Sequence, residues 1–164
     1  MRGTTPMGAD IAGWIGGVSD FWVERGNPAL TDFNYAGESY DAVILIALAV
    51  EQAKTDGSEH ANHIVDVSGP PGTKCTSFAE CRDLIAAGEE IDYDGISGPQ
   101  DFNGNGEPMQ GSYGILQFGA DNRISPDIEL VEARLPDSAV VDHVPVTVER
   151  EGDGILKIGT ILPE

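Results

Sequence analysis

Residues 38–54 read ESYDAVILIALAVEQAK and form the strongest helix signal in the chain. Ser39 is a suitable N-cap and Asp41 would lie in the positive first turn, so we expect a helix that runs to about Lys54. Apolar side chains surround its axis and leave no polar stripe for solvent. Such a helix must be covered on most sides, as when it lies on a sheet and under neighbouring elements. The stretch therefore predicts an α/β fold. The apolar residues are Tyr40, Val43, Ile44, Leu45, Ile46, Leu48 and Val50.

The chain before this helix has weaker patterns. Residues 1–17 are rich in glycine and predict a strand end followed by a loop. Residues 20–25 predict a short helix, which ends at the Gly26-Asn27-Pro28 sequence because glycine and proline there terminate helices.

Cys75 and Cys81 are the only cysteines, and five residues separate them. This spacing matches neither a redox Cys-x-x-Cys motif nor a common zinc site. Ser77 and Glu80 form a capping box, which predicts a helix over residues 78–87 that ends at Gly88. Cys81 then lies in an early helical turn and Cys75 just before the cap, so we expect a local disulfide. Two buried free thiols are the alternative.

A β-hairpin is predicted further along the chain. Residues 96–102 and 112–118 have strand composition, and Asn103-Gly104-Asn105-Gly106 between them favours a tight turn. Residues 101–106 also resemble the start of a calcium-binding loop, but the twelfth position is Ser112 rather than glutamate. The hairpin is therefore the preferred interpretation.

The charge of the chain excludes one class of partner. Its 164 residues include 28 acidic and 9 basic side chains, a net charge of −19, so we expect no nucleic-acid binding. The longest apolar run, residues 42–50, is too short to span a bilayer. The first residues lead into a polar, glycine-rich stretch, and so no signal peptide is expected within this sequence.

Signals for catalysis and metal binding are weak. A metal site at Glu59, His60, His63 and Asp66 competes with a solvated polar face, and a carboxylate pair among Glu89, Glu90, Asp92 and Asp94 competes with a solvated loop. No phosphate loop, dinucleotide fingerprint or Ser-His-acid order is present. We therefore expect no enzymatic activity, metal or cofactor.

Three motifs resemble one known family. Residues 32–45 resemble the Tyr-Asp-Ala helix of type I periplasmic binding proteins, the solute receptors of branched-chain amino acid ABC transporters. Residues 72–81, residues 91–99 and the Asn-Gly hairpin resemble the C-terminal third of the same proteins. The resemblance covers about residues 2–122. It implies a partial fold of that type, with helices packed on a mostly parallel sheet and a C-terminal β-hairpin.

This resemblance implies a function. In the family, two lobes close over a small solute by a hinge, and the closed receptor docks on a permease outside the cytoplasm without making or breaking a bond. It places Tyr35 in the cleft beside the ligand side chain, as a ligand-binding residue. The alternative is a secreted structural or adhesion module, built on the disulfide and the hairpin, that has no small ligand.

The resemblance also divides the chain. Residues 1–122 are the C-terminal portion of a receptor, residues 123–151 an acidic linker or extension, and residues 152–164 a strand that resembles the first strand of a solute-binding module. Either another module begins at this strand, or the strand fills the sheet position of the missing first strand. A fragment of this kind leaves its apolar helix partly bare, which favours self-association.

Overall fold

The structure is a computed structural model that describes residues 2–7 and 11–159. Its strands and helices follow in the order β1 (Arg2–Pro6), α1 (Ile11–Glu24), α2 (Ala36–Ala53), a 3-10 helix (Ser58–His63), β2 (Thr73–Cys75), α3 (Phe78–Ala87), β3 (Ile91–Gly95), β4 (Gly98–Pro99), β5 (Gln110–Gln117), β6 (Glu129–Arg134) and a second 3-10 helix (Asp137–Ala139). None of the described helices has the length and apolar character needed to cross a membrane.

The strands form two small sheets, in the orders β2-β3-β4 and β1-β5-β6. β2 runs parallel to β3, with Cys75 opposite Tyr93, and β4 returns antiparallel to β3. In the second sheet β5 lies antiparallel to β1 and to β6, with Thr4 opposite Ile115. The mixed α/β class is confirmed, and the expected parallel pairing is represented among the described strands by β2 and β3.

One hydrophobic core joins α2 and α3 to the β2-β3-β4 sheet. Leu48, Cys81 and Tyr93 have no exposed surface, and burying each large apolar side chain stabilises the fold by about 1.5–3 kcal/mol. The core contains Leu45, Leu48, Ala49, Val67, Cys75, Cys81, Ile85, Ile91 and Tyr93. The expected disulfide between Cys75 and Cys81 lies inside it, with the two Cα atoms 5.4 Å apart.

The expectation that α2 is covered on most sides is wrong for the described chain. Tyr40 and Val43 are 42% and 41% exposed, so one flank of the helix faces solvent. The short β2-β3-β4 sheet and α3 cover only the opposite face. On the exposed flank, α1 contributes the ring of Trp14, which meets Tyr40 edge-on at 5.5 Å between ring centroids.

α3 follows its sequence prediction closely. It spans Phe78–Ala87, the Ser77 hydroxyl accepts the Glu80 N–H at 3.3 Å, and Gly88 ends the helix with a left-handed φ of 84°. The Glu80 carboxylate reaches back to the N–H of Thr76, one residue before the cap. Local capping chemistry therefore sets both ends of this helix.

The other two helices begin earlier than predicted. α1 starts at Ile11 instead of residue 20, because Ile11, Trp14, Ile15 and Val18 place partly buried side chains at helical spacing despite the intervening glycines. α2 starts at Ala36 instead of Ser39, because Tyr35 is its N-cap and the Tyr35 carbonyl accepts the Ser39 N–H at 3.0 Å. Ser39 is therefore a helical residue and not the cap.

The hairpin prediction is wrong in its strand pairing. The turn at residues 103–106 exists, but it closes only an isolated bridge between Phe102 and Pro108. β4 already pairs with β3, and β5 finds its partners in β1 and in β6, which lies within the predicted acidic linker or extension. Register between strands distant in sequence leaves no local signal, whereas a turn does.

The predicted C-terminal strand, residues 152–164, is also not observed where the structure describes it. Residues 152–159 belong to no strand. Its remaining residues, 160–164, lie outside the described residues.

Candidate functional site

The N-terminal half of α2 carries a buried carboxylate that organises the loop after β3. Asp41 has no exposed surface. Its Oδ1 accepts the Tyr93 hydroxyl at 2.8 Å and the Ile96 N–H at 3.0 Å. Its Oδ2 accepts the Ser97 N–H at 2.7 Å, the Ser97 hydroxyl at 2.6 Å and the Gln100 amide at 3.3 Å. These bonds compensate the desolvation of the charge and fix residues 96–100 against the helix.

Two neighbours adapt to this carboxylate. A Cβ at Gly95 would overlap the Asp41 carboxyl group, so only glycine permits the close approach of β3 to α2. Burial, together with the hydrogen bond to Asp41, raises the pKa of Tyr93 above its usual range, so its hydroxyl keeps its proton and serves as a donor. The sequence predicts that Asp41 lies in the first turn and favours the helix dipole. That prediction is wrong, since Asp41 lies beyond the first turn and bonds to the loop.

A cleft of about 310 Å³ opens beside this network. α2 forms one side, the loop after β3 a second, and β5 with the end of β1 the third. The lining residues are Pro6, Glu38, Ala42, Leu45, Ser97, Pro99, Gln100, Phe102, Pro108, Gln110, Gly111, Ser112 and Tyr113. Both sheets therefore contribute to a single concave surface.

The cleft combines apolar walls with a few polar groups. Phe102, Tyr113 and three prolines supply rigid apolar surface, and Glu38 contributes a carboxylate from α2. The Gln100 amide is held by Gly98 and Ser97, so its orientation is fixed before any ligand arrives. Apolar walls with a small number of oriented polar groups are typical of small-molecule sites.

Tyr35 lies outside the lining of this cleft. It is 60% exposed and stands at the N-terminal end of α2, one helical turn before Glu38. Its backbone is left-handed, with φ at 60°, a conformation that costs a non-glycine residue about 1–2 kcal/mol. Strain of this kind is concentrated at functional sites, which agrees with a ligand-binding role for Tyr35. No contact of the described residues tests that role, and it stays a prediction.

The other predicted groups do not form a site together. His63 lies 2.9 Å from Asp66 and 3.9 Å from Glu59, while the Nδ1 of His60 contacts the Gly57 carbonyl. The described residues contain no cluster of three or more side chains able to hold a metal ion.

The acidic residues considered above as a carboxylate pair differ in burial and in their partners. Asp92 is buried and Asp94 half-buried, and both contact Lys74, at 3.1 Å and 2.7 Å. These contacts raise the pKa of Lys74 above its usual value, and the hydrogen bond to Asp94 contributes most. Glu89 and Glu90 are exposed. In residues 101–106, which resemble the start of a calcium-binding loop, Asp101 pairs with Arg134 at 2.7 Å, and the Asn103 side chain accepts two N–H groups of its own turn.

One comparison with known proteins gives a match. The sequence model of the receptor family ligand binding region matches residues 24–121, which include α2, the Asp41 network and most of the cleft lining. Neither the curated proteins nor the solved structures contain a significant match.

Proposed function

Since the chain belongs to the receptor family ligand binding region, which matches more than half of its length, we propose that it supplies one part of a solute receptor of the type I periplasmic-binding-protein kind. The single observation that carries this proposal is the family match over residues 24–121. It coincides with a preformed cleft whose walls come from several elements of the matched region.

The geometry suits capture of a small molecule. Asp41 fixes the loop that carries Ser97 and Gln100, so the polar groups of the cleft keep their positions without a ligand. Preorganisation of this kind lowers the entropy lost on binding. The walls are largely apolar and Glu38 is among the lining residues, which favours a ligand with an apolar body and a hydrogen-bond donor such as an ammonium group.

The finer proposal is capture of branched-chain amino acids or related amides by hinged closure, followed by delivery to a permease outside the cytoplasm. Branched side chains match the apolar walls, and an amino group matches Glu38. No bond of the solute is made or broken in such capture. Tyr35 is proposed to reach the ligand after closure, because it is exposed at the start of the helix that lines the cleft.

Isothermal titration with leucine, isoleucine, valine and short amides tests the proposal, using the chain and the complete receptor polypeptide. We expect binding heat from at least one solute. Heat from none of them would favour the alternative, a structural or adhesion module without a small ligand.

Two variants test the site itself. Ala42→Phe places a ring in the cleft and should abolish the heat, while Ala86→Phe adds the same ring to an exposed position on α3 and should leave it unchanged. Tyr35→Ala should weaken binding about tenfold, the loss of one aromatic contact, whereas Phe21→Ala on α1 should not. Equal effects of Ala42→Phe and Ala86→Phe would exclude this cleft as the binding site. Equal effects of Tyr35→Ala and Phe21→Ala would exclude a ligand-binding role for Tyr35.

A further inference from the structure

Residues 139–154, which we name the strap, cross the surface without forming a helix or strand beyond the 3-10 turn at their start. One end, which we call the upper end, lies at the turn of residues 103–107. The other, the lower end, lies beyond the C-terminal end of α2. The sequence predicts a linker or extension for most of this segment. The structure instead shows directed hydrogen bonds along most of its length.

The lower end of the strap is held by three side chains that follow α2. The Asp56 carboxylate accepts the N–H groups of Asp153 and Gly154, at 3.1 Å and 2.8 Å. The Ser58 hydroxyl accepts the N–H groups of residues 149 and 150, at 2.8 Å and 2.9 Å. The Asn62 amide oxygen accepts the Val146 N–H at 2.7 Å. Together they capture five backbone N–H groups of the strap.

An ion pair adds to the lower end. The Arg150 guanidinium lies 3.7 Å from the Asp56 carboxylate and also donates to the Asp56 carbonyl. Asp56 itself is 5% exposed. A buried carboxylate requires partners, and here the strap provides them.

The upper end is held by the turn beside the cleft. The Gly104 N–H donates to the Val141 carbonyl at 3.1 Å, and the Gly104 carbonyl contacts Nδ1 of His143 at 3.1 Å. The Asn103 amide donates to the Ala139 carbonyl at 3.2 Å. The bridge between Phe102 and Pro108 encloses this turn, and both of those residues line the cleft.

Glycines allow the strap to approach this closely. A Cβ at Gly104 would overlap the backbone of Val141 and Asp142, and a Cβ at Gly152 would overlap the Asp56 carboxylate. A Cβ at Gly57 would lie 2.6 Å from the Arg150 carbonyl oxygen, closer than real contacts. Both ends of the strap therefore depend on glycine, which leaves room for the close approach, as well as on hydrogen bonds.

We propose that the strap is a conformational brace: by holding the 103–107 turn at one end and Asp56 at the other, it positions the Phe102 wall of the cleft. Its attachment uses hydrogen bonds, mostly of its backbone groups, to which the side chains of Arg150 and His143 add contacts. Val144 and Val148 are 70% and 51% exposed. Little hydrophobic burial opposes its release, so the hydrogen-bonded anchors determine whether it stays in place. The inference concerns positions within the chain and holds whatever the cleft binds.

Amide hydrogen exchange on the whole chain, resolved by residue, tests the brace. Asp56→Ala removes the lower anchor, and we expect the N–H groups of Asp153 and Gly154 to exchange at least about tenfold faster. At the far end, the N–H of Gly104 donates to Val141, and the N–H of Met109, just after the turn, donates to the Asp101 carbonyl at 2.7 Å. Both should exchange at least about threefold faster, because the turn loses its support. The matched control Asp83→Ala removes an exposed carboxylate of α3 and should change none of these rates.

A second variant acts from the other end. Gly104→Ala should release the turn from the strap and speed exchange of Met109, while Gly13→Ala, whose added methyl meets open space, should not. Unchanged exchange at Leu48 in every variant shows that the core remains folded.

The brace is overturned if Asp56→Ala frees Gly154 while Gly104 and Met109 keep their rates, since the strap would then carry no effect to the cleft. Exchange of the strap N–H groups at free-peptide rates in the unaltered chain would overturn it as well. None of these readouts involves a ligand, so they are independent of the outcome of the titrations.

Discussion

α2 is held in place by its side chains, whereas the strap is held mainly by its backbone. α2 satisfies its backbone internally and contributes side chains to the core, where Leu48 and Ala49 have no exposed surface. The strap leaves Val144, Val146 and Val148 largely in solvent and contributes its backbone N–H groups to Asp56, Ser58 and Asn62. Substitution in α2 should therefore act through burial, and substitution in the strap's partners through hydrogen bonding.

The largest expected difference between the two regions comes from truncating one apolar side chain in each. Leu48→Ala should lower the free energy of unfolding by about 3 kcal/mol, because it removes buried methyl groups and leaves a cavity. Val146→Ala should change it by less than about 0.5 kcal/mol, because this valine is 48% exposed and only its backbone is bound. Urea unfolding monitored by Trp fluorescence measures both values. Comparable losses in the two variants would mean that the strap buries its valines, contrary to the comparison.

A smaller effect is expected from the polar group of α2. Asp41→Asn should lower the free energy of unfolding by about 2 kcal/mol, because the amide has one acceptor oxygen and leaves some of the N–H and O–H donors unpaired. Tyr93→Phe removes only one donor and should cost about 1 kcal/mol. The same urea experiment compares them. A Tyr93→Phe loss larger than that of Asp41→Asn would show that the Tyr93 hydroxyl, and not the bonds from the carboxylate to the loop, supplies most of the stabilisation.

The sequence predicts those features whose cause is local. Ser77, Glu80 and Gly88 lie within one helix and its caps, and α3 appears with the predicted bounds. The motifs of residues 32–45 and 91–99 indicate the superfamily that the family match then supports. The apolar character of residues 40–50 identifies a helix, but hydropathy alone does not reveal which flank the short sheet leaves bare.

Features set by distant contacts escaped prediction. Asp41 has the sequence position of an ordinary first-turn acid, and only the path of the loop after β3 reveals its partners. β5 was assigned to a hairpin because an Asn-Gly turn precedes it, while its real partners lie far away in sequence. The strap has no hydrophobic period to detect, because most of its contacts are hydrogen bonds of its backbone. The sequence feature that marks its contacts is glycine at positions 57, 104 and 152, where a side chain would overlap the neighbouring segment.

The smallest expected effect is the response of the strap to acid. The N–H groups of Gly154 and then Asp153 lower the pKa of Asp56 from 3.8 to about 2, with a further contribution from the side chain of Asp153. A carboxyl group whose pKa is lower in the folded state contributes stability above its unfolded value, and that contribution is lost as the pH falls toward the folded value. The Asp56 contribution should therefore be complete above about pH 4 and decline toward pH 2.

Amide chemical shifts of Gly154 followed from pH 6 to pH 1.5 measure this titration. We expect an inflection near 2, and its disappearance in Asp56→Asn, which cannot lose a proton in this range. An inflection near 3.8 would mean that the carboxylate is free of the strap in solution. Because Leu48 lies among apolar side chains of the core, its amide should show no matching inflection, and this contrast separates release of the strap from unfolding of the core.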